Sequence, residues 1–62
     1  MARTQTFEVY EDSAGAWRWR LVAPNGNIIA DSGEGYSSKQ GAKRGIESVK
    51  NGARDATIEY TD

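Results

Sequence analysis

The chain has 62 residues, with 8 basic and 9 acidic side chains, a formal net charge of −1, and neither cysteine nor histidine. A chain of this length forms one domain at most and buries only about 60% of its unfolded surface, so its own core is marginal. Disulfides, thiolate zinc sites and imidazole chemistry are excluded, and no overall positive field attracts nucleic acid or anionic lipid, which leaves oligomerisation as the expected source of extra stability.

The first predicted hairpin joins two strands through a short loop. Residues 7–11 alternate between apolar and polar side chains, as in a half-buried strand. Residues 13–15, Ser-Ala-Gly, fit a three-residue loop in which a type I turn is followed by a left-handed glycine. Residues 16–23 form the second strand, in which aromatic and branched side chains predominate.

The third strand is predicted after a second tight turn. Asn25-Gly26 is a strong hairpin signal, and we take it as a two-residue loop. The strand then covers residues 27–32, and residues 33–35, Gly-Glu-Gly, form a loop before the helix.

A single helix is predicted over residues 38–51. Ser37 is the expected N-cap, with Gln40 three residues later in a capping box, and Gly52 fits the C′ position. Residues at helical spacing form one small and apolar stripe: Ala42, Gly45, Ile46, Val49 and Ala53. Gly45 on this stripe would let the helix lie close to a sheet.

Residues 56–60, Ala-Thr-Ile-Glu-Tyr, alternate again and predict a fourth strand. The expected fold is therefore α+β, a single βββαβ domain over residues 1–62 with one helix packed on an antiparallel sheet. No signal-peptide pattern opens the chain and no apolar run is long enough to span a bilayer, so we expect a cytoplasmic protein.

The two turns together predict which residues lie opposite each other in the sheet. The expected pairs are Trp19 with Val9, Leu21 with Phe7 and Ala30, Arg20 with Glu8 and Asp31, and Val22 with Ile29. One face is then apolar and receives the helix, so both tryptophans of the Trp-Arg-Trp-Arg stretch belong to the core. On the opposite face Arg20 lies between two carboxylates, and Arg18 lies beside Tyr10, where its guanidinium can cover the ring.

Nucleic-acid binding is the alternative interpretation of the basic residues. Alternating tryptophan and arginine resembles a stacking platform, but such a platform needs exposed rings and free cations. Residues 36–54 contain five basic residues and one acidic residue, a local charge of +4. Candidate phosphate contacts on the helix are Lys39, Lys43, Arg44 and Lys50, and Glu47 lies within helical reach of three of them.

The helix start offers a weaker candidate for a small anion. Ser37, Ser38 and Lys39 follow the Gly-Glu-Gly loop, and a helix N-terminus attracts negative charge. The spacing does not match a P-loop, and a turn followed by a cap is the favoured explanation of these residues. Without histidine to activate a serine, and with the carboxylate pairs Glu11-Asp12 and Asp31…Glu34 in turns or at sheet edges, we expect no catalytic site, metal or cofactor.

Three motifs resemble one known family. The first comprises Trp17, Trp19, Leu21, Ala23, Asn25 and Gly26. The second comprises Ser32, Gly35, Tyr36, Ser38 and Lys39. The third comprises Gly45, Ile46, Ser48, Val49, Lys50 and the following Asn51. From Phe7 to Ile58 the chain is similar to the YegP-like family of small βββαβ proteins.

The resemblance implies a single-copy member that pairs with itself. Two copies would share one continuous sheet and exchange their C-terminal strands, residues 56–60, so that Ile58 and Tyr60 pack on the other subunit. The residues expected in the core or the dimer interface are Trp17, Trp19, Leu21, Ile46, Val49, Ile58 and Tyr60. The family carries no catalytic residue, so the predicted function is that of a homodimeric structural or interaction module.

Overall fold

The computed structural model describes residues 4–61. Three antiparallel strands and one helix confirm the α+β fold, with the sheet in the order β1-β2-β3. The elements are β1 (Thr6–Glu11), β2 (Trp17–Val22), β3 (Ile28–Asp31), helix α1 (Lys39–Gly52) and a 3₁₀ turn (Ala53–Asp55). Within residues 4–61, no helix combines the length and the apolar character needed to cross a membrane.

The turn between β1 and β2 has the predicted form. Asp12 and Ala16 close a three-residue loop, with the Asp12 amide donating to the Ala16 carbonyl at 2.8 Å. The Gly15 amide donates to the Asp12 carbonyl at 3.0 Å, and Gly15 has a φ of +86°. A left-handed residue after a type I turn matches the twist of the strands, and glycine takes this conformation without steric cost.

The turn between β2 and β3 differs from the prediction. Its loop has three residues, Pro24 to Gly26, and is closed by the Ala23 amide donating to the Asn27 carbonyl at 2.8 Å. A two-residue type I′ loop would need a positive φ at both Asn25 and Gly26, but only Gly26 has one, at +93°. Pro24 is the reason, because its fixed φ favours the second position of a type I turn.

This longer loop shifts the end of the ladder. Val22 pairs with Ile28, and a bulge follows between Leu21 and Val22, so the predicted pair of Val22 with Ile29 is wrong. The other predicted pairs are confirmed, including Trp19 with Val9 and Arg20 with both Glu8 and Asp31.

Residues 32–35 form a detour between two stretches that both pair with β2. After β3, the Ser32 amide donates to the Trp19 carbonyl at 2.9 Å. Tyr36 then returns to the sheet, exchanging hydrogen bonds of 2.7 and 2.8 Å with Trp17. Gly35 lies so close to Ala16 that a side chain there would collide with it.

The helix begins and ends one residue later than predicted. Ser38, not Ser37, is the N-cap, and its hydroxyl accepts a 3.0 Å hydrogen bond from the Gly41 amide. Gly52 is the last helical residue, with a φ of −107°, and Ala53 forms the C-cap. The predicted C′ glycine is therefore wrong, because the chain continues into a 3₁₀ turn and needs no left-handed residue there.

The core lies between α1 and the first two strands. Within the described residues, three apolar side chains are buried: Trp19, Ala42 and Ile46. Phe7 meets Trp19 edge to face, with ring centroids 5.5 Å apart. Trp17, Tyr36 and Val49 pack around this cluster and are half-buried, as is Leu21. The helix contacts β1 and β2 but not β3.

The predicted fourth strand is not formed in the single chain. Residues 56–61, here called the tail, have no strand pairing, and their side chains are exposed. The exposed fraction is 81% for Ile58 and 85% for Tyr60. Alternation predicts the extended conformation, but a strand also needs a neighbour to satisfy its amides and carbonyls, and the tail pairs with none of the three strands.

Candidate functional site

The sheet face opposite the helix, here called the open face, carries two ion pairs. Arg20 Nε lies 2.7 Å from Glu8 Oε1, and the guanidinium lies 4.6 Å from the centre of the Tyr10 ring. The prediction that Arg18 covers Tyr10 is therefore wrong, because Arg18 turns towards the loop instead. Arg20 also forms an ion pair with one carboxylate rather than two, although Asp31 is its partner in the ladder.

Asp12 joins the first loop to the open face. Its Oδ2 accepts a 2.6 Å hydrogen bond from Arg18 Nε, and its Oδ1 accepts hydrogen bonds of 2.9 Å from the amides of Ala14 and Ala16. The hydrogen bond from Arg18, followed by that from the Ala16 amide, lowers the pKa of the Asp12 carboxyl below its ordinary value of 3.8. The same contact raises the pKa of Arg18, and the Glu8 contact raises that of Arg20. Both arginines are thus committed to local partners.

The basic residues of the helix are arranged differently. Lys39, Lys43, Arg44 and Lys50 are all exposed. Within residues 4–61 none of them lies within 4.0 Å of a carboxylate oxygen, because the ion pairs found there involve only Arg18 and Arg20. Glu47 forms no ion pair with them within the described residues. The positive charge of this helix surface, here called the basic ridge, is therefore available to solvent and to partners.

The two tryptophans do not form an exposed stacking platform. Trp19 is only 6% exposed and lies under the helix. Trp17 is half-buried, with Lys39 Nζ 5.1 Å from its ring centre. Base stacking needs accessible ring faces, so binding of nucleic acid through the Trp-Arg-Trp-Arg stretch is not supported by this geometry.

Two polar side chains at the start of the helix already have contacts within this chain. The Ser38 hydroxyl caps the helix by accepting a hydrogen bond from the Gly41 amide, and the Lys39 ammonium lies over the Trp17 ring. Ser37, Ser38 and Lys39 are all exposed, and no buried polar group points to a ligand between them. An anion site at this position stays a prediction. Across residues 4–61, no group of three acidic, cysteine or histidine side chains could hold a metal ion.

The concave regions on the surface of the described chain include two that border the sheet. The larger, about 560 Å³, is a shallow depression on the open face near the second hairpin. It is lined by Thr4, Thr6, Glu8, Val22, Ala23, Pro24 and Gly26. Its one charged residue, Glu8, is already paired with Arg20, so the depression presents no free charge to a ligand.

The smaller region, about 340 Å³, is a mostly apolar groove between α1 and β1. Val9 forms its floor, and Lys39, Gln40 and Lys43 form its wall. We call it the β1–α1 groove. No sequence pattern indicates this groove, although the spacing of Lys39 and Lys43 places both on one side of a helix. Lysine stems commonly cover apolar surface while their ammonium groups remain in water.

Comparisons with known proteins identify the family. The family model described as a domain of unknown function, DUF1508, matches residues 12–59. A UPF0339 protein of Methanosarcina acetivorans is 54% identical over 52 residues, covering 84% of this chain and 88% of the relative. A UPF0339 protein of Treponema denticola is 50% identical over 52 residues, with the same coverage of both chains.

A longer relative and a solved structure extend this comparison. The UPF0339 protein in the ptx operon 5′ region of Stutzerimonas stutzeri is 54% identical over 50 residues, which are 81% of this chain but only 44% of that relative. The NMR solution structure of a protein from Haloferax volcanii has a TM-score of 0.89 and 58% identity, and covers 97% of this chain and all of the solved one. The resemblance to YegP-like proteins is consistent with all of these matches, and the chain belongs to the DUF1508 family.

Proposed function

We propose that this protein is a non-catalytic interaction module of the cytoplasm that works as a homodimer. Two copies complete one continuous sheet by exchanging their tails. The observation that carries this proposal is the tail itself, a segment without strand pairing in which Ile58 and Tyr60 are 81% and 85% exposed. Large apolar side chains on an unpaired strand favour association with another sheet edge.

The small core supports the same proposal. Only Trp19, Ala42 and Ile46 are buried among the apolar residues of the described chain. The radius of gyration is 13.1 Å, whereas a compact domain of this length has about 11 Å. A second copy that covers the tail would make the assembly more compact and would add the apolar burial that one chain lacks.

The sheet also has room for an added strand. Because the order is β1-β2-β3, the outer sides of β1 and β3 have no neighbouring strand among residues 4–61. A reciprocal exchange would satisfy one edge in each copy and keep the two-fold symmetry usual for homodimers. The Stutzerimonas relative adds support, because it is more than twice as long as the part that matches this chain, which leaves space for a second unit in one polypeptide.

The test is the molar mass in solution of the full chain and of two double variants, measured by light scattering across a dilution series. Ile58→Ser with Tyr60→Ser removes the two apolar tail side chains. Thr57→Ser with Thr61→Ser changes their polar neighbours and is the control. We expect a dimer for the native chain and the control, and a monomer for the apolar double variant.

The same variants separate a dimer from a monomer thermodynamically. Substituting side chains that are exposed in a monomer changes the free energy of unfolding by about 0.5 kcal/mol or less. Side chains buried in an interface contribute about 1.5–3 kcal/mol each. A native chain that is monomeric at every concentration, with unchanged stability in the Ile58 and Tyr60 variant, would contradict the proposal.

The basic ridge favours a second candidate function, weak and salt-dependent binding of nucleic acid. Its support is specific: four basic side chains lie on one helix without an ion pair in residues 4–61, whereas both arginines of the sheet are paired. Such a ridge would contact phosphates rather than bases, so binding would show little sequence preference and would weaken steeply with added salt.

A salt titration of binding to mixed DNA and RNA tests this candidate. Arg44→Ala removes one charge from the ridge, and Arg54→Ala removes one charge from the 3₁₀ turn as a control. For duplex DNA we expect Arg44→Ala to reduce the salt slope by about 0.9 and Arg54→Ala to leave it unchanged. Equal effects of the two variants, or the absence of binding at low salt, would remove the candidate.

A further inference from the structure

We infer that Asn25 is a site of spontaneous deamidation, in which the backbone nitrogen of Gly26 attacks the side-chain amide and water completes the reaction. The inference is independent of the proposed function, because it concerns a hairpin turn rather than the tail. Two asparagines of the chain precede glycine: Asn25 in the second hairpin and Asn51 at the end of α1. The structure distinguishes these two pairs.

The reaction needs water as its only co-reactant. The Gly26 amide loses its proton to solvent base, and its nitrogen forms a bond to the Asn25 Cγ carbon. The bond from Cγ to Nδ2 then breaks, and Nδ2 takes up a proton from water and leaves as ammonia. Water opens the resulting cyclic imide, giving aspartate by attack at Cγ and isoaspartate by attack at the main-chain carbonyl carbon. No group is oxidised or reduced.

The attacking nitrogen of the hairpin pair is unobstructed. Asn25 and Gly26 are both exposed, and beyond its chain neighbours no atom lies within 4 Å of the place that a Cβ of residue 26 would occupy. One hydrogen bond, from the Gly26 amide to the Ala23 carbonyl at 2.9 Å, has to open before the nitrogen can turn towards Cγ. At an exposed turn water replaces such a bond, so the net cost of opening it is small.

The attacked carbon is polarised by the neighbouring backbone. The Asn27 amide donates a 3.1 Å hydrogen bond to Asn25 Oδ1. Negative charge builds up on this oxygen while Cγ is attacked, so the Asn27 amide already lies where an oxyanion needs a donor. The turn therefore holds both an accessible nucleophile and a stabilising group for the intermediate.

The second pair, Asn51-Gly52, is equally exposed but has a helical backbone. Its hydrogen-bond ladder continues past Gly52, because the Ala53 amide donates to the Val49 carbonyl and a 3₁₀ turn follows. Bringing the Gly52 nitrogen to the Asn51 side chain requires rotation of the Asn51 backbone, which would break this helix end. We therefore expect the fold to protect Asn51.

The two products affect the hairpin differently. Aspartate keeps an oxygen that can accept from the Asn27 amide, and it adds one negative charge beside Pro24 and Gly26, which line the depression on the open face. Isoaspartate directs the main chain through the former side chain and adds one carbon atom to it. A three-residue loop cannot absorb that atom without disturbing the pairing of β2 with β3.

Trypsin separates the two pairs and thereby provides an internal control in the native chain. Cleavage after lysine and arginine places Asn25 in peptide 21–39 and Asn51 in peptide 51–54. The full chain is kept folded at mildly alkaline pH, and samples taken over time are digested together with a zero-time sample. Mass spectrometry follows the replacement of the side-chain NH₂ by OH in each peptide. A parallel sample in urea gives the rates of both pairs without the fold.

In the folded chain we expect Asn25 to react about tenfold faster than Asn51, because only Asn25 has the oxyanion donor and only Asn51 is held by a helix ladder. In urea the two rates should become similar. Asn25→Gln should abolish the change in peptide 21–39, because its longer side chain closes the ring far more slowly.

Three results would overturn the inference. The first is equal rates at the two pairs in the folded chain. The second is a peptide 21–39 that changes in urea but not in the folded chain, which would mean that the turn protects Asn25. The third is a change in that peptide that persists in Asn25→Gln, which would assign the reaction to Asn27.

Discussion

Gly45 of the helix lies directly against the ring of Tyr36, with no space for a side chain between them. A Cβ atom at position 45 would overlap the Tyr36 hydroxyl and crowd the Trp19 indole nitrogen at 3.2 Å. Two backbone hydrogen bonds to Trp17 fix the main chain of Tyr36, and its side chain packs against the core cluster, which limits how far the ring can move away. The close approach of helix and sheet therefore depends on a residue without a side chain.

Gly45→Ala is expected to destabilise the protein. Helix propensity alone would favour alanine by about 1 kcal/mol, but overpacking a helix–sheet contact costs about 1–3 kcal/mol. Urea unfolding measures the net effect. Gly52→Ala is the control, because nothing lies within 4 Å of a Cβ at that position. If the clash is the cause, Tyr36→Phe should recover part of the loss in the double variant. Equal effects at positions 45 and 52 would contradict this account.

Ile46→Ala is expected to lower the free energy of unfolding by about 2–5 kcal/mol, because it opens a cavity in the core. Ile46 is 8% exposed and lies beside Trp19 and Ala42. The same substitution at Ile29, which is 51% exposed, is the control and should change stability by about 0.5 kcal/mol or less. Chemical denaturation of both variants decides the matter. Similar losses at the two positions would mean that the core is elsewhere.

The Asp12 carboxylate is expected to make stability depend on acid pH. Its pKa is lowered in the folded protein, first by the hydrogen bond from Arg18. A lowered pKa stabilises the fold fully above the ordinary value of 3.8, and this contribution is lost as the pH falls through the folded value. Asp12→Asn should therefore be less stable than the native chain at pH 7, and the difference should shrink towards pH 2.

Urea unfolding at several pH values between 7 and 2 measures this convergence. Glu11→Gln is the matched control, since it removes a neighbouring carboxylate that makes no ion pair within residues 4–61. A constant difference between native chain and Asp12→Asn across the whole range would show that the charge of Asp12 is not responsible.

The melting temperature is expected to rise with protein concentration. Two chains that unfold from a dimer become separate molecules, so mass action favours the folded dimer at high concentration. Calorimetry over a hundredfold dilution tests this, with the Ile58→Ser and Tyr60→Ser double variant as the comparison. That variant should melt at a lower temperature that does not change on dilution. A native melting temperature independent of concentration would count against the homodimer.

The longest elements and most of the strand register could be predicted from sequence. Alternation in residues 7–11 and 17–22 and the glycine at position 15 lead to the correct first hairpin and to the pairing of Trp19 with Val9. The second hairpin could not be read from Asn25-Gly26 alone. Pro24 competes for the turn and moves it by one residue, which shifts Ile28 opposite Val22.

The candidate surfaces were predictable only in part. Within the basic ridge, Lys39, Lys43 and Lys50 lie on one side of the helix because they are four and seven residues apart, whereas Arg44 directly follows Lys43 and lies on another side. The partners of Arg18 and Arg20 did not follow from the ladder. A long side chain reaches several residues, and loop geometry brings Asp12 within 2.6 Å of Arg18 while Arg20 turns over Tyr10.

Local periodicity and turn chemistry, taken alone, determined an α+β chain with three paired strands, one helix and an alternating C-terminal segment. Tertiary structure alone decided that the helix covers β1 and β2 but not β3, that a groove opens beside Val9, and that Ile58 and Tyr60 stay in water. The physical reason is that conformational preference acts between near neighbours in the chain. Burial depends on which distant surfaces meet, and among the apolar side chains of residues 4–61 these contacts bury Trp19, Ala42 and Ile46.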